Sequence, residues 1–430
     1  MNDHPLALAL QGKRVAIFSH THPSLTKGGA EIAAHTLFTG LRRIGVDAIL
    51  IAACEEGAAG RISLGPHEFA LTYNGLIYDH FYHIAAPSVR RSLVDLLLAQ
   101  RVDILNAHHF LHIGLGAFAD VADAGIEVVF TIHEFLAICH NHGQLVTRTT
   151  QSLCTGPAPG KCRSCYPEHS RQQFALRQQV VAEALYPVAA FVSPSQFLAD
   201  KMLAGNALQS SISIIDNGVA EANEVPIHRR EVQRRIWKFG YFGQINPFKG
   251  MDVLLDACSV LARDDQLSSR IRINVHGNFV GQSEEFVRRF TTAVEEYSFL
   301  SYLGPYENGE VNGLMSGCDY IVIPSKWWEN SPVVIQEAYR AQVPVICTGI
   351  GGMAEKVVDG VSGLHFARND AADLADRILE AADPVLHARL RSGLPVPSTI
   401  VEMAEQYAAL FTSVLGLNET TATFDVPMQR

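Results

Sequence analysis

The chain has 430 residues, more than one hydrophobic core usually serves, so two domains are expected. Its 34 Lys and Arg against 44 Asp and Glu give a net charge of −10. With only a short arginine cluster on the basic side, this argues against nucleic acid as the main partner and for a small-molecule enzyme. No run approaches the ~18 apolar residues of a membrane span. The patch Pro5 to Leu10 is short and lacks the basic flank of a signal peptide, so a cytoplasmic protein is expected.

Arg14 to Ser19 reads as a strand, His20 to Gly29 as a loop, and Ala30 to Arg43 as a helix with apolar Ile32, Leu37 and Leu41. Short apolar strands are predicted at Ala48 to Ala52, Val102 to Asn106, Val128 to Ile132 and Ala189 to Ser193, with helical patterns between most of them. After Asp216-Asn217-Gly218 and a basic linker, His228 to Arg235, the rhythm restarts. Strands are then predicted at Lys238 to Phe242, Ile271 to Val275, Asp319 to Ile323 and Val343 to Cys347. Pro384 to Leu415 reads as helical, and Asn418 to Arg430 as a polar, mobile tail. This twofold alternation predicts an α/β protein of two Rossmann-like, doubly wound parallel sheets facing each other across a cleft, with ligands at the carboxyl ends of the strands. The expected domains are residues 1–210 and 211–395, with a Cys-rich insertion at about 139–168. Residues 396–430 form a C-terminal helix and tail, the helix being free to pack back on the first domain.

The most informative segment is Trp328-Glu329-Asn330-Ser331-Pro332-Val333-Val334-Ile335-Gln336-Glu337-Ala338, two glutamates eight positions apart across a strand-to-helix junction. Ser331 is the expected N-cap and Pro332 the first helical residue, which puts Glu329 in the loop and Glu337 on the helix. A helix N-terminus offers unpaired N–H groups to a phosphate, and the flanking carboxylates can accept hydrogen bonds from sugar hydroxyls. Gly28-Gly29 opens the first helix where a backbone can approach a ligand, or simply makes a tight turn. Gly243-Gln244 through Lys249-Gly250 forms a second strand-to-helix loop, from which Lys249 can reach a phosphate or lie solvated. His108, His109 and His133 sit at strand ends facing the cleft, as groups for a reacting sugar or as structural hydrogen-bonders, and His133 is the best candidate because it closes a strongly apolar strand. Gly349 to Glu355 repeats the pattern of strand, glycine loop and helix, either near the ligand or as a plain connection.

The ordered set Gly28-Gly29, His133, Asn217-Gly218-Val219, Lys249-Gly250, Glu329-x7-Glu337 and Gly351-Gly352-x-x-Glu355 resembles glycosyltransferase family 4, over roughly residues 14 to 366. The resemblance implies the GT-B fold, with an acceptor-side first domain, a nucleotide-sugar-binding second domain and retaining transfer without a metal at the catalytic centre. It implies Glu337 on the donor ribose, Glu329 on hydroxyls of the transferred sugar, and backbone N–H groups near Ser331, Pro332 and Val333 around the diphosphate. Proline itself lends no N–H there. Lys249 would neutralise the diphosphate, His133 would lie beside the reacting sugar, and Gly28-Gly29 would line the junction of donor and acceptor. Where many relatives carry arginine, this chain has Gln244, which keeps hydrogen bonding and loses the fixed charge.

The expected function is therefore transfer of a sugar from a nucleotide-diphosphate donor to a glycan or lipid-linked acceptor in polysaccharide assembly, in the cytoplasm or at the inner face of the membrane. The alternatives are a small-sugar synthase or phosphorylase, or a silent nucleotide-sugar or glycan binder motivated by Gln244. Cys139, Cys154, Cys162 and Cys165 lie in or next to the Gly/Pro-rich insertion and make either a structural zinc site, unligated thiols or a redox pair. Cys54, Cys258, Cys318 and Cys347 read as core residues. Arg229, Arg230, Arg234 and Arg235 read as a solvated linker or a contact to anionic lipid, and Trp327-Trp328 as a stacking platform or as packing.

Overall fold

A computed structural model describes residues 4–26, 28–205, 208, 211–219 and 236–417. The arginine cluster at 229–235 and the tail at 418–430 lie outside the described residues. The first sheet has seven parallel strands: β1 (Arg14–Ser19), β2 (Asp47–Glu55), β3 (Glu68–Tyr73), β4 (Ile104–Ala107), β5 (Glu127–Thr131), β6 (Ala190–Ser193) and β7 (Ile212–Ile214), in the order β3-β2-β1-β4-β5-β6-β7. The second has six: β8 (Trp237–Phe242), β9 (Ile271–His276), β10 (Leu300–Gly304), β11 (Tyr320–Ile323), β12 (Val345–Thr348) and β13 (Gly363–Phe366), in the order β10-β9-β8-β11-β12-β13. Central strands such as β4 and β11 are buried along their whole length, which is why they read as unbroken apolar runs.

In each sheet the strand order reverses beside the first strand of the domain. In the first sheet β1 pairs with both β2 and β4, and in the second β8 pairs with both β9 and β11. The loops leaving β1, β4, β8 and β11 therefore open at these switch points, where a doubly wound sheet leaves a crevice. Helices cover both faces of each sheet. Phe18, Leu105 and Phe130 belong to one core of the first domain and Ile17, Leu37 and Val129 to the other.

The helix Ile400–Val414 packs on the first domain through Met403, Tyr407 and Phe411. Gly40 makes this approach close, since a Cβ there would stand 2.8 Å from the Ile400 carbonyl. The helical stretch predicted from Pro384 is in fact two helices, Pro384–Ser392 and Ile400–Val414, because Gly393, Pro395 and Pro397 break it. The first sheet also runs past residue 210: β7 pairs with β6, so the crossing to the second domain lies after Ile214. Three residues with a serine between two isoleucines gave no apolar run to read there.

Candidate active site

Three loops of the second domain are locked together by glycines. Gly250 adopts φ +76°, and a Cβ on it would meet the Pro324 carbonyl oxygen at 1.7 Å, so the loop after β8 lies directly on the loop after β11. Gly352 is similar: its N–H donates to the Glu329 carbonyl at 2.7 Å, and a Cβ would stand 1.8 Å from the Asn330 oxygen. The Gly351-Gly352 turn thus supports the backbone under Glu329 and Asn330.

This packing delivers Lys249 to Glu329. The ammonium lies 2.6 Å from Oε1, which also accepts from Ser325 Oγ and Trp327 Nε1, both at 2.7 Å. Burial alone would push the Glu329 carboxyl up, but Lys249 and the two neutral donors outweigh it and hold the group below its ordinary value. Trp327 is itself fixed, stacked on Phe248 with ring centroids 5.5 Å apart and under the Lys249 ammonium.

Glu337 sits in a contrasting setting on the helix Val333–Arg340. Burial lifts its carboxyl to about 7, with Arg340 pulling the other way. Tyr306 is near enough for Glu337 to add to the upward shift that burial gives its phenol. A carboxylate raised in this way is poised to gain from a ligand's hydroxyl donors.

The helix cap differs from the sequence reading. Pro332 occupies the N-cap position and Val333 is the first helical residue. The Ser331 hydroxyl is turned instead to Asp216 Oδ1 at 3.1 Å, and that carboxylate also pairs with Lys356. With no side-chain cap, amides at this helix start are left for another acceptor. Gln244 is held within its own loop: its side-chain oxygen accepts from Asn246 Nδ2 at 3.3 Å, and its carbonyl accepts from Tyr241 at 2.5 Å.

The first domain contributes His133. Asn330 Nδ2 donates across the cleft to the His133 carbonyl at 2.8 Å, so this histidine stands beside the Glu329 loop. Its Nε2 meets His108 Nδ1 at 2.9 Å, and burial, then His20, push its ring down to about 3. Both rings are neutral, so one proton joins them. His108 Nε2 is buried without a partner, and an orphaned acceptor costs less than an orphaned N–H. That assigns the shared proton to His108 Nδ1 and leaves His133 Nδ1 as an N–H donor. Gly28 and Gly29 lie at the N-terminus of the helix Gly29–Ile44, where a Cβ on Gly28 would collide with the buried Glu31 carboxylate at 2.4 Å. Gly28 thus packs on its own loop, while a Cβ on Gly29 would meet nothing within 4 Å.

Other cross-domain contacts escaped the sequence reading. Glu355 caps the helix Gln196–Ala204 of the opposite domain, accepting from the Gln196 and Phe197 amides at 2.9 and 2.7 Å. Trp328 Nε1 donates to the Cys154 carbonyl at 3.2 Å and its ring packs on Phe197, so this tryptophan is interdomain packing. A Glu-Lys dipeptide after a double glycine was the only available signal, and nothing in it names a partner 158 positions away.

All eight cysteines are free; Cys54, Cys258, Cys318 and Cys347 are buried. Cys165 Sγ accepts from the Arg148 amide at 3.1 Å, and burial lifts the Cys139 thiol to about 11. Among the described residues, Cys139, Cys154, Cys162 and Cys165 do not bring three sulfurs within 4.8 Å of one another. Among the described residues, no helix is long and apolar enough to cross a membrane.

Residues 27–222 match the family described as Glycosyltransferase Family 4, and residues 237–383 match Glycosyl transferases group 1. The chain belongs to the family 4 type of glycosyltransferases. An uncharacterized glycosyltransferase of Methanocaldococcus jannaschii is 32% identical over 145 residues, 34% of this chain and 38% of that protein. A D-inositol 3-phosphate glycosyltransferase of Stackebrandtia nassauensis is 28% identical over 227 residues, 50% of each chain. The chain thus spans half or less of the length of these two relatives. Anabaena Alr3699/HepE in complex with UDP-glucose shares the fold, with a TM-score of 0.64 and 17% identity over 93% of this chain and 99% of that one. The chain therefore has the GT-B fold, two parallel-sheet domains with the cleft between them.

Proposed function

We propose that the protein is a retaining glycosyltransferase that takes a sugar from a nucleoside diphosphate donor and passes it to a glycan or lipid-linked acceptor in polysaccharide assembly. The observation that carries this is the pairing of two glutamates in opposite states on one strand-to-helix junction. Glu329 is held ionised by Lys249, Ser325 and Trp327, while Glu337 is lifted to about 7 and left to a ligand. An ionised Glu329 accepts from hydroxyls of the transferred sugar, and Glu337 takes the ribose diol. The uncapped helix start at Val333 receives the diphosphate, whose charge grows as the glycosidic bond breaks.

Lys249 supplies the remaining N–H bonds of its ammonium, one being spent on Glu329. The acceptor hydroxyl attacks from the same face as the departing phosphate, which takes its proton, so the anomeric configuration is retained without a metal or a carboxylate nucleophile. His133, neutral and with Nδ1–H free to donate, stabilises the sugar by a hydrogen bond rather than as a cation. The HepE relative's complex with UDP-glucose makes uridine the first base to test. The proposed setting is the cytoplasm, with peripheral contact at the membrane where the acceptor is lipid-linked.

A thermal-shift panel of uridine, guanosine, adenosine and thymidine diphosphates and their sugar conjugates, repeated with Glu337→Ala, tests the donor site. Selective stabilisation lost in the variant is expected. No stabilisation by any nucleotide would sink the proposal. Binding without donor turnover would reduce the protein to a nucleotide-sugar binder. Structural zinc in the cysteine loop is a separate proposal, resting on the Arg148 amide bond to Cys165; metal content unchanged in Cys162→Ser/Cys165→Ser would end it.

A further inference from the structure

On the first domain, three side chains from three separate elements converge. His22 stands in the loop after β1, His35 in the second turn of the helix Gly29–Ile44, and Glu68 opens the edge strand β3. His22 Nε2 lies 3.3 Å from Glu68 Oε2, and His35 Nε2 lies 3.2 Å from Glu68 Oε1. One ligand atom from each residue falls within 4.8 Å of the others, and among the described residues this is the only such group of histidine, cysteine and acidic side chains. Two ligands held about 2.1 Å from one tetrahedral ion stand about 3.4 Å apart, close to the separations found.

A second observation points to a ligand. His22 is only 5% exposed, yet its Nε2, aimed at the carboxylate, is buried without a satisfactory hydrogen bond. Such a nitrogen calls for an explanation. Its other nitrogen is positioned from outside: Nδ1 meets Ser24 Oγ at 2.8 Å, and that hydroxyl accepts from the Ser63 amide at 3.1 Å. The Ser24 amide also lies 3.1 Å from Nδ1, so the ring is gripped on that side in either tautomer. Glu68 Oε2 accepts from the Gly65 amide at 2.5 Å. These are the supports that orient metal ligands from behind. The His35 side chain remains 39% exposed and gives a way in.

We propose that His22, His35 and Glu68 bind a divalent first-row transition ion, zinc in preference. Two imidazole nitrogens and one carboxylate oxygen suit such an ion better than calcium or magnesium, and the set leaves a coordination position for water. The ion would tie the loop that carries Gly28 to the edge strand β3. Its role is to hold one wall of the cleft, and no step of sugar transfer passes through it.

The experiment is titration of chelator-stripped protein with cobalt(II), followed optically, and with zinc, followed by thermal shift. In Cys162→Ser/Cys165→Ser, one cobalt equivalent should give visible ligand-field absorption without the near-ultraviolet band of a thiolate ligand. That signal should weaken at least about tenfold in affinity when His35→Ala is added. Zinc should raise the melting temperature of Cys162→Ser/Cys165→Ser and not that of the same protein carrying His35→Ala. Because His35 is half-exposed, the variant should fold, and Glu68→Gln provides a second test with the ring pair intact. Cobalt binding that is absent, that shows only thiolate absorption, or that survives in both variants would overturn the proposal.

Discussion

Lys249 Nζ and Glu329 Oε1 stand 2.6 Å apart, and the pair joins the loop after β8 to the loop after β11. Neither residue can be removed without changing the other's electrostatics. Lys249→Met would leave Glu329 with only Ser325 and Trp327 against its burial, so its carboxyl should rise. We expect Lys249→Met and Glu329→Gln each to lower kcat by about 10²–10³-fold. The double variant should lose less than the product of the two losses, with a coupling of about 0.5–3 kcal/mol. Strictly multiplicative losses in a double-mutant cycle would mean that the two act separately.

Glu337 gives a pH dependence whose sign follows from its position. Its carboxyl rises from an ordinary 4.5 to about 7, so the folded protein binds more protons than the unfolded chain between these values. Stability without ligand should therefore fall as pH rises from 4.5 through 7. Nucleotide binding should run the opposite way, because a ribose diol prefers the ionised acceptor. Affinity should fall about tenfold per pH unit below 7 until the carboxyl titrates in the complex as well. Calorimetry across pH 5 to 8 checks this. A slope unchanged in Glu337→Gln would place the titrating group elsewhere.

The sheets were legible in the sequence where strands are buried on both faces. β1, β2, β8 and β11 appear as apolar runs because helices cover them. The edge strands β3 and β10 are only partly buried, alternate with polar residues, and went unread. The meeting of Lys249 and Glu329 follows from two strand-to-helix loops that leave the neighbouring strands β8 and β11, with Glu337 on the helix after the second. What sequence could not give were links between domains. Asn330 reaches a backbone carbonyl on His133, and backbone atoms leave no residue-type signature. The shift of the N-cap from Ser331 to Pro332 has the same origin, since Asp216 draws the Ser331 hydroxyl away from the helix.

Glu355 predicts an interdomain latch. Its carboxylate accepts two amides at the start of the helix Gln196–Ala204, where Ser195 supplies a further cap to Leu198. Glu355→Ala should cost about 0.5–2 kcal/mol of capping energy and loosen the closed arrangement of the domains. The expected outcome is faster hydrogen exchange at Gln196 and Phe197 and a larger radius of gyration in solution scattering. Unchanged values in both would mean that Trp328, Asn330 and the Asp216–Lys356 pair suffice to hold the cleft shut.

The last prediction concerns Gln244. Its side-chain oxygen accepts from Asn246 and the amide carries no charge, where the resemblance to family 4 leads one to expect arginine. The nearby Lys249 is already shared with Glu329, so the diphosphate meets less net positive charge here than an intact arginine and lysine would offer. Gln244→Arg adds a bidentate cationic donor to the loop that carries Lys249. Nucleoside diphosphate affinity should rise by about tenfold, as one charge-assisted hydrogen bond of about 1.5 kcal/mol implies, and should become more salt-sensitive. Turnover need not follow, because a donor site that grips the product more tightly releases it more slowly. Calorimetry with the diphosphate, set beside steady-state kinetics, separates the two effects. Weaker binding in Gln244→Arg would show that the Gln244–Asn246 contact shapes the pocket and that the guanidinium disrupts it.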